Sequence, residues 1–140
     1  MKLKLTFLLA LTFLFLFGGS SIVFGDDYQD GLDAVQRKDY KTAYKLWLPL
    51  AEQGNAHALK WFRLSAEQGF AKAQYNLGLM YDKGRGVLQD YSLAHMWWNI
   101  CGSSGDKGCV KNRNIVEKKM SKQQIEKAQE LARNWKPTSK

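Results

Sequence analysis

Internal repetition constrains this chain more than any other feature of its sequence. The phrase AEQG begins at Ala51 and returns at Ala66, fifteen residues later. Three segments align without a gap on a closing glycine: AYKLWLPLAEQG (Ala43 to Gly54), ALKWFRLSAEQG (Ala58 to Gly69) and AHMWWNICGSSG (Ala94 to Gly105). In register they carry Leu46, Trp61 and Trp97, then Trp47, Phe62 and Trp98. Upstream, DYKTA (Asp39 to Ala43) matches DYSLA (Asp90 to Ala94). A recurring segment of this kind marks stacked supersecondary units, each burying its apolar face on the next.

Gly69 and Gly105 are 36 residues apart, and the interval predicts two helices. In AKAQYNLGLMYDKG, Ala71, Tyr75, Gly78 and Tyr81 recur at three- and four-residue steps. A glycine inside a helix costs about 1 kcal/mol against alanine. Gly78 therefore makes sense where a neighbouring helix must come close. GRGV (Gly84 to Val87) is the break, and Asp90 stands where an N-cap belongs, its carboxylate set to accept from free backbone N–H groups. The second helix is expected to run to about Ser103, with Ala94, Trp97, Trp98 and Cys101 on or near one face.

On these residues the stretch Ala71 to Asn99 resembles the Sel-one-like repeat, a tetratricopeptide-related helix-turn-helix unit. Its repeat positions are Ala73, Tyr75, Leu77, Gly78, Tyr81, Gly84, Gly86, Asp90, Ala94 and Trp97. GLDAVQRKDYKTAYKLWLPLAEQG (Gly31 to Gly54) is similar to the shorter opening unit of exported bacterial members, and the C-terminal tail to their closing helices. The resemblance implies an all-α chain, a short α-solenoid of antiparallel helix-turn-helix repeats. The expected organisation is a signal peptide over 1–25 and a repeat domain over 26–140. Within that domain, 26–54 is an opening unit, 55–69 a contracted hybrid repeat, 70–105 a full repeat and 106–140 a set of closing basic helices.

The contraction explains the short spacing. Asn55 to Ala58 (NAHA) matches Phe70 to Ala73 (FAKA) at the start of a first helix, whereas Ala58 onward matches the second helix from Ala94. The residues between Ala73 and Ala94 have no counterpart in the earlier copy. A single hybrid helix from about Ala56 to Gln68 is expected. One odd helix reverses the up-down order of those that follow, so either they pack in a shifted arrangement or an apolar face stays open to self-association.

The two ends differ in character. Lys2 and Lys4 precede an unbroken apolar run, Leu5 to Phe17, followed by GGSS and Val23-Phe24-Gly25, which together read as a signal peptide cleaved after Gly25. The rival is an uncleaved anchor, since Leu5 to Phe24 suffices to span ~30 Å of hydrocarbon. Basic character belongs to the tail: residues 26–106 hold 9 basic and 10 acidic side chains, residues 107–140 hold 10 and 3. SKQQ (Ser121 to Gln124) is a capping box that starts a last helix near Lys122. Ile125, Ala128, Leu131 and Trp135 form its apolar face, and Pro137 ends it. Lys118, Lys119, Lys122, Lys127 and Lys136 read as a solvated face, with attraction to an anionic membrane surface as the second reading.

Cys101 and Cys109 fall at the end of one helix and the start of the next, so the turn brings them together. In an oxidising compartment they read as a disulfide, contributing about 2.5 kcal/mol in the chain-entropy model. Similar inter-helix bridges occur in the cysteine-rich secreted branch of the family. The alternatives are two buried thiols, or a zinc site with His95 that lacks a fourth ligand. No catalytic, cofactor-binding or metal motif stands out. His57 and His95 belong to no recognisable motif, and GRG (Gly84 to Gly86) lacks the context of a phosphate loop.

The aromatic pairs read chiefly as core, with one ring of each pair inward and the other toward a groove. Trp61 and Trp98 are thus the candidate partner-binding residues. The expected function is an exported, non-catalytic protein–protein interaction module in the bacterial periplasm or secreted. It would hold a peptide segment of another envelope or secreted protein, and a homodimer could form through the contracted repeat. No nucleic acid is expected. The alternatives are a binder of cell-wall fragments or a wall-modifying enzyme, and a degenerate paralogue with little function.

Overall fold

Every regular element in the described part of this chain is a helix, and the caps and closing turns repeat with the sequence. The computed structural model describes residues 26–138, so the predicted leader at 1–25 lies outside the described residues. Seven helices occur among these residues, with no strand: α1 (26–36), α2 (Tyr40–Glu52), α3 (Ala56–Glu67), α4 (Ala71–Lys83), α5 (Tyr91–Ser103), α6 (Lys107–Glu117) and α7 (Lys122–Asn134). The fold is an all-α solenoid. The described residues divide into two compact units, and the boundary between Leu46 and Trp47 falls within α2.

Matching sequence makes matching ends. Asp39 and Asp90, aligned in the repeat, accept from the backbone N–H of Thr42 (3.1 Å) and Leu93 (3.0 Å). The closing glycines Gly54, Gly69 and Gly105 share a left-handed backbone, with φ of 81°, 95° and 96°. A side chain is rarely tolerated there, which is why the alignment ends on glycine. The hybrid segment has no aspartate to offer, and Asn55 caps α3 by accepting from His57 and Ala58 N–H. Ser121 and Gln124 form the reciprocal capping box at the start of α7.

Within the larger unit, successive helices run antiparallel. Between α3 and α4, the amide of buried Gln74 donates to the Ala66 carbonyl at 2.9 Å, and the Arg63 guanidinium donates to the Tyr81 hydroxyl at 3.0 Å. Between α4 and α5, Asp90 N–H meets the Tyr81 carbonyl at the turn, while further along Trp98 Nε1–H donates to the Tyr75 carbonyl. Between α5 and α6 the sequence of ties is Cys101–Cys109, Asn99–Arg113 and His95–Glu117. Helix α7 returns alongside α5, which therefore packs against α4, α6 and α7. Its buried residues are Ala94, His95, Met96, Trp97, Trp98, Ile100 and Cys101.

Two glycines set these distances. A Cβ on Gly78 would lie 2.7 Å from Trp98 Cδ1, so the indole occupies the space that a side chain would need. A Cβ on Gly86 would collide with the Ala51 carbonyl, which lets the α4–α5 turn rest on the C-terminal end of α2. Ala51 is the register partner of Ala66. The carbonyl that Gln74 covers in one copy is thus covered by a glycine of the following turn in the other.

Candidate interaction surfaces

Of the two proposed partner-binding rings, the structure leaves only one near the surface. Trp61, on α3, is half-buried and stacks on Trp47 with ring centroids 5.8 Å apart. Trp98 is 2% exposed and cannot meet a partner. Burial on α5 overrides the expected inward–outward alternation: Trp98 packs on Gly78 of α4, and Trp97, 6% exposed, meets Trp135 edge-on at 6.3 Å. Trp135 itself is not part of the α7 stripe as expected. It is the C-cap, and its extended backbone turns the ring onto α5.

The other predicted positions are structural in their contacts. Ala73, Leu77 and Ala94 are fully buried, Tyr81 nearly so, and Tyr75 supplies its carbonyl to Trp98. Gly84 is the left-handed C-cap of α4. Cys101 and Cys109 are joined, with Cα atoms 5.9 Å apart. Asp106 lies beside them, but its carboxylate caps α6 by accepting from Cys109 N–H at 2.9 Å. His95 does not join that cluster. It donates through Nε2 to Glu117 at 2.7 Å, is fully buried, and leaves Nδ1 without a partner. His57 is exposed at the start of α3.

Three polar groups are buried, Gln74, Asp82 and His95; sequence reasoning singled out only His95. Asp82 gathers Lys83 (3.1 Å) and Lys119 (3.3 Å), and Lys119 also stands 5.2 Å from the Tyr91 ring centroid, tying the turn between α6 and α7 to α4 and α5. Each of the three stands at a helical step shared with apolar core residues, and that was the signal available.

Two surface clefts stand out among the described residues. One, of about 420 Å³, is lined by Ala56, Leu59, Lys60, Arg63, Leu64 and Glu67, one side of α3. The other, of about 390 Å³, runs between α5 and the end of α7 and is lined by Asn99, Ile100, Ser103, Ala132, Arg133 and Trp135. In repeat register Leu59 corresponds to His95, Arg63 to Asn99 and Leu64 to Ile100. On α5 those positions meet α6 or line the cleft beside α7, whereas on α3 they line an open groove.

Repeat models agree with this arrangement. The Sel1 repeat model matches residues 25–55, 56–70 and 71–106, more than half of the chain. The chain belongs to the Sel1 repeat family. Among solved structures, this Sel1 repeat protein is similar to c5321, a protective antigen present in uropathogenic Escherichia coli strains and displaying an SLR fold. The TM-score is 0.55 at 26% identity, covering 80% of this chain and 29% of that one. Over 48 residues it is 44% identical to chitin synthase regulatory factor 3 of Schizosaccharomyces pombe, a stretch that is 34% of this chain and 5% of the relative. The chain therefore spans only a small part of either relative. Sel1 repeats build scaffolds for protein–protein interaction. No described helix is long and apolar enough to cross a membrane, and the disulfide is compatible with an oxidising compartment.

Proposed function

We propose that this protein is an exported, non-catalytic adaptor of the bacterial envelope that holds a segment of another envelope or secreted protein on the open side of α3. One observation carries the reading. Leu59 and Leu64 line a solvent-facing groove with Lys60, Arg63 and Glu67 around them, while their register partners on α5, His95 and Ile100, are buried. An apolar stripe with a charged border on a rigid helix suits a helix-in-groove or extended-segment partner. The apolar N-terminal run and the disulfide support export, to the periplasm first and to secretion second. The 15-residue match at 56–70, against 36 residues at 71–106, supports the reading of α3 as a contracted repeat whose missing partner helix exposes the stripe.

Photo-crosslinking in the producing cell tests the proposal. A photoreactive side chain at Leu59 or Leu64 should give one discrete adduct that mass spectrometry identifies as an envelope protein, and one at Lys127 should give none. Adducts of the same size from both positions would sink it. An adduct at twice the chain mass would identify a second copy as the occupant, the self-association that the contraction also allows.

A further inference from the structure

Among the described helices, α6 keeps one whole side exposed. The helix packs on α5 through buried Cys109 and Val116 and touches α4, while α7 returns against α5. Lys107, Lys111, Ile115 and Lys118 recur at steps of four, four and three residues and are all exposed, so they form one row along the far side. The outermost helix of a stacked array is expected to turn a polar face to water. Ile115 departs from that rule: it is 46% exposed, whereas its register partner on α4, Leu79, is half-buried.

The row is cationic. Lys107, Lys111 and Lys118 make no ion pair among the described residues, whereas Lys119 and Lys122 are engaged with Asp82 and Glu126. The acids at either end of α6 serve the interior: Asp106 accepts from Cys109 N–H at 2.9 Å, and Glu117 binds buried His95 at 2.7 Å. Lysine is a compact charge on a flexible stem, without the fixed fork by which arginine orients a single carboxylate. The row also lies outside both clefts. Point charges spread over about 16 Å of helix, with one apolar side chain between them, match a flat layer of repeated negative charge over hydrocarbon.

We infer that the exposed row of α6 docks on an anionic phospholipid surface, with Lys107, Lys111 and Lys118 meeting headgroup phosphates and Ile115 entering between them. Each lysine held close to such a surface is worth about fivefold in partition. The row is on a different helix from the α3 groove and stands or falls independently of it.

The test places an environment-sensitive fluorophore on the full oxidised chain through Ile115→Cys, or through Leu131→Cys on α7 as the control. Position 115 should shift to the blue with phosphatidylglycerol vesicles and stay unchanged with phosphatidylcholine vesicles, and position 131 should respond to neither. Any contribution of the apolar N-terminal run is common to both labels, so the contrast reads α6 alone. With the label at 115, a Lys107→Gln/Lys111→Gln/Lys118→Gln variant should raise the lipid concentration for half the shift by at least about twentyfold. Lys122→Gln/Lys127→Gln/Lys136→Gln, the same charge change on and after α7, should raise it by less than about threefold. All of these lysines are exposed, so both variants keep the fold. Equal losses from the two variants would reduce the effect to net charge and overturn the site. Equal shifts at 115 and 131, or with both lipids, would overturn it as well. A shift with polyglutamate and none with vesicles would make the occupant an acidic protein and overturn the lipid assignment.

Discussion

Helices α3 and α5 carry matching phrases, ALKWFRLSAEQG and AHMWWNICGSSG, yet α3 buries three residues and α5 seven. Propensity does not separate them, since both phrases begin on a helical alanine and close on a left-handed glycine. Neighbours do. Helix α5 lies among α4, α6 and α7, and is bonded to α6 through Cys101. On α3 the register partner of Cys101 is Ser65, whose hydroxyl donates to its own helix at the Trp61 carbonyl. The same phrase becomes a core helix or a surface helix according to what is stacked upon it.

The sharpest way to break this comparison is one substitution made at matched positions. Ile100→Asp buries a carboxylate against the α7 side of the cleft and should cost about 4 kcal/mol, whereas Leu64→Asp should cost no more than about 1 kcal/mol. Urea unfolding of the two variants checks the difference, and equal losses would mean that α3 is as enclosed as α5. Next in size is the staple that α3 lacks. Reducing Cys101–Cys109 should lower stability by about 2.5 kcal/mol, and a Cys101→Ser/Cys109→Ser double variant should show no further response to reductant.

Gly78→Ala sets two effects against each other. Alanine favours the helix by about 1 kcal/mol, but its Cβ would enter the Trp98 indole, which is fixed by its bond to the Tyr75 carbonyl and cannot withdraw. Overpacking of 1–3 kcal/mol should win, leaving a net loss of about 1 kcal/mol in the same unfolding assay. Smallest is the cap of α2. The hydrogen bonds from Thr42 hold the Asp39 carboxyl below its ordinary pKa. Its contribution is complete above the unfolded value and fades as pH falls through the lower folded value. Amide exchange at Thr42 should quicken in that acidic window, and Asp39→Asn should remove the pH dependence.

Much of the fold was legible beforehand. Helices α3, α4 and α5 begin and end, and α7 begins, within a residue or so of the expected positions, because Asn55, Asp90, Ser121 and the closing glycines act through bonds only a few residues long. The cysteine pair was legible for the same reason, one short turn separating its members. Trp98 was not. Its sequence neighbours place it on a helix, but only the approach of α4 at Gly78, with Trp135 folding back onto Trp97 from beyond α7, decides that both rings of the pair are covered. The candidate clefts were equally hidden, for each depends on which helices meet.

By itself, the sequence determined the repeat, the caps, the turns and the class of fold, since all of these rest on interactions local in the chain. Tertiary structure alone decided which copy of the repeated phrase became core. It also brought Gly86 onto Ala51 and His95 onto Glu117. Those outcomes come from contacts between residues distant in sequence, where close packing and burial outweigh any local preference.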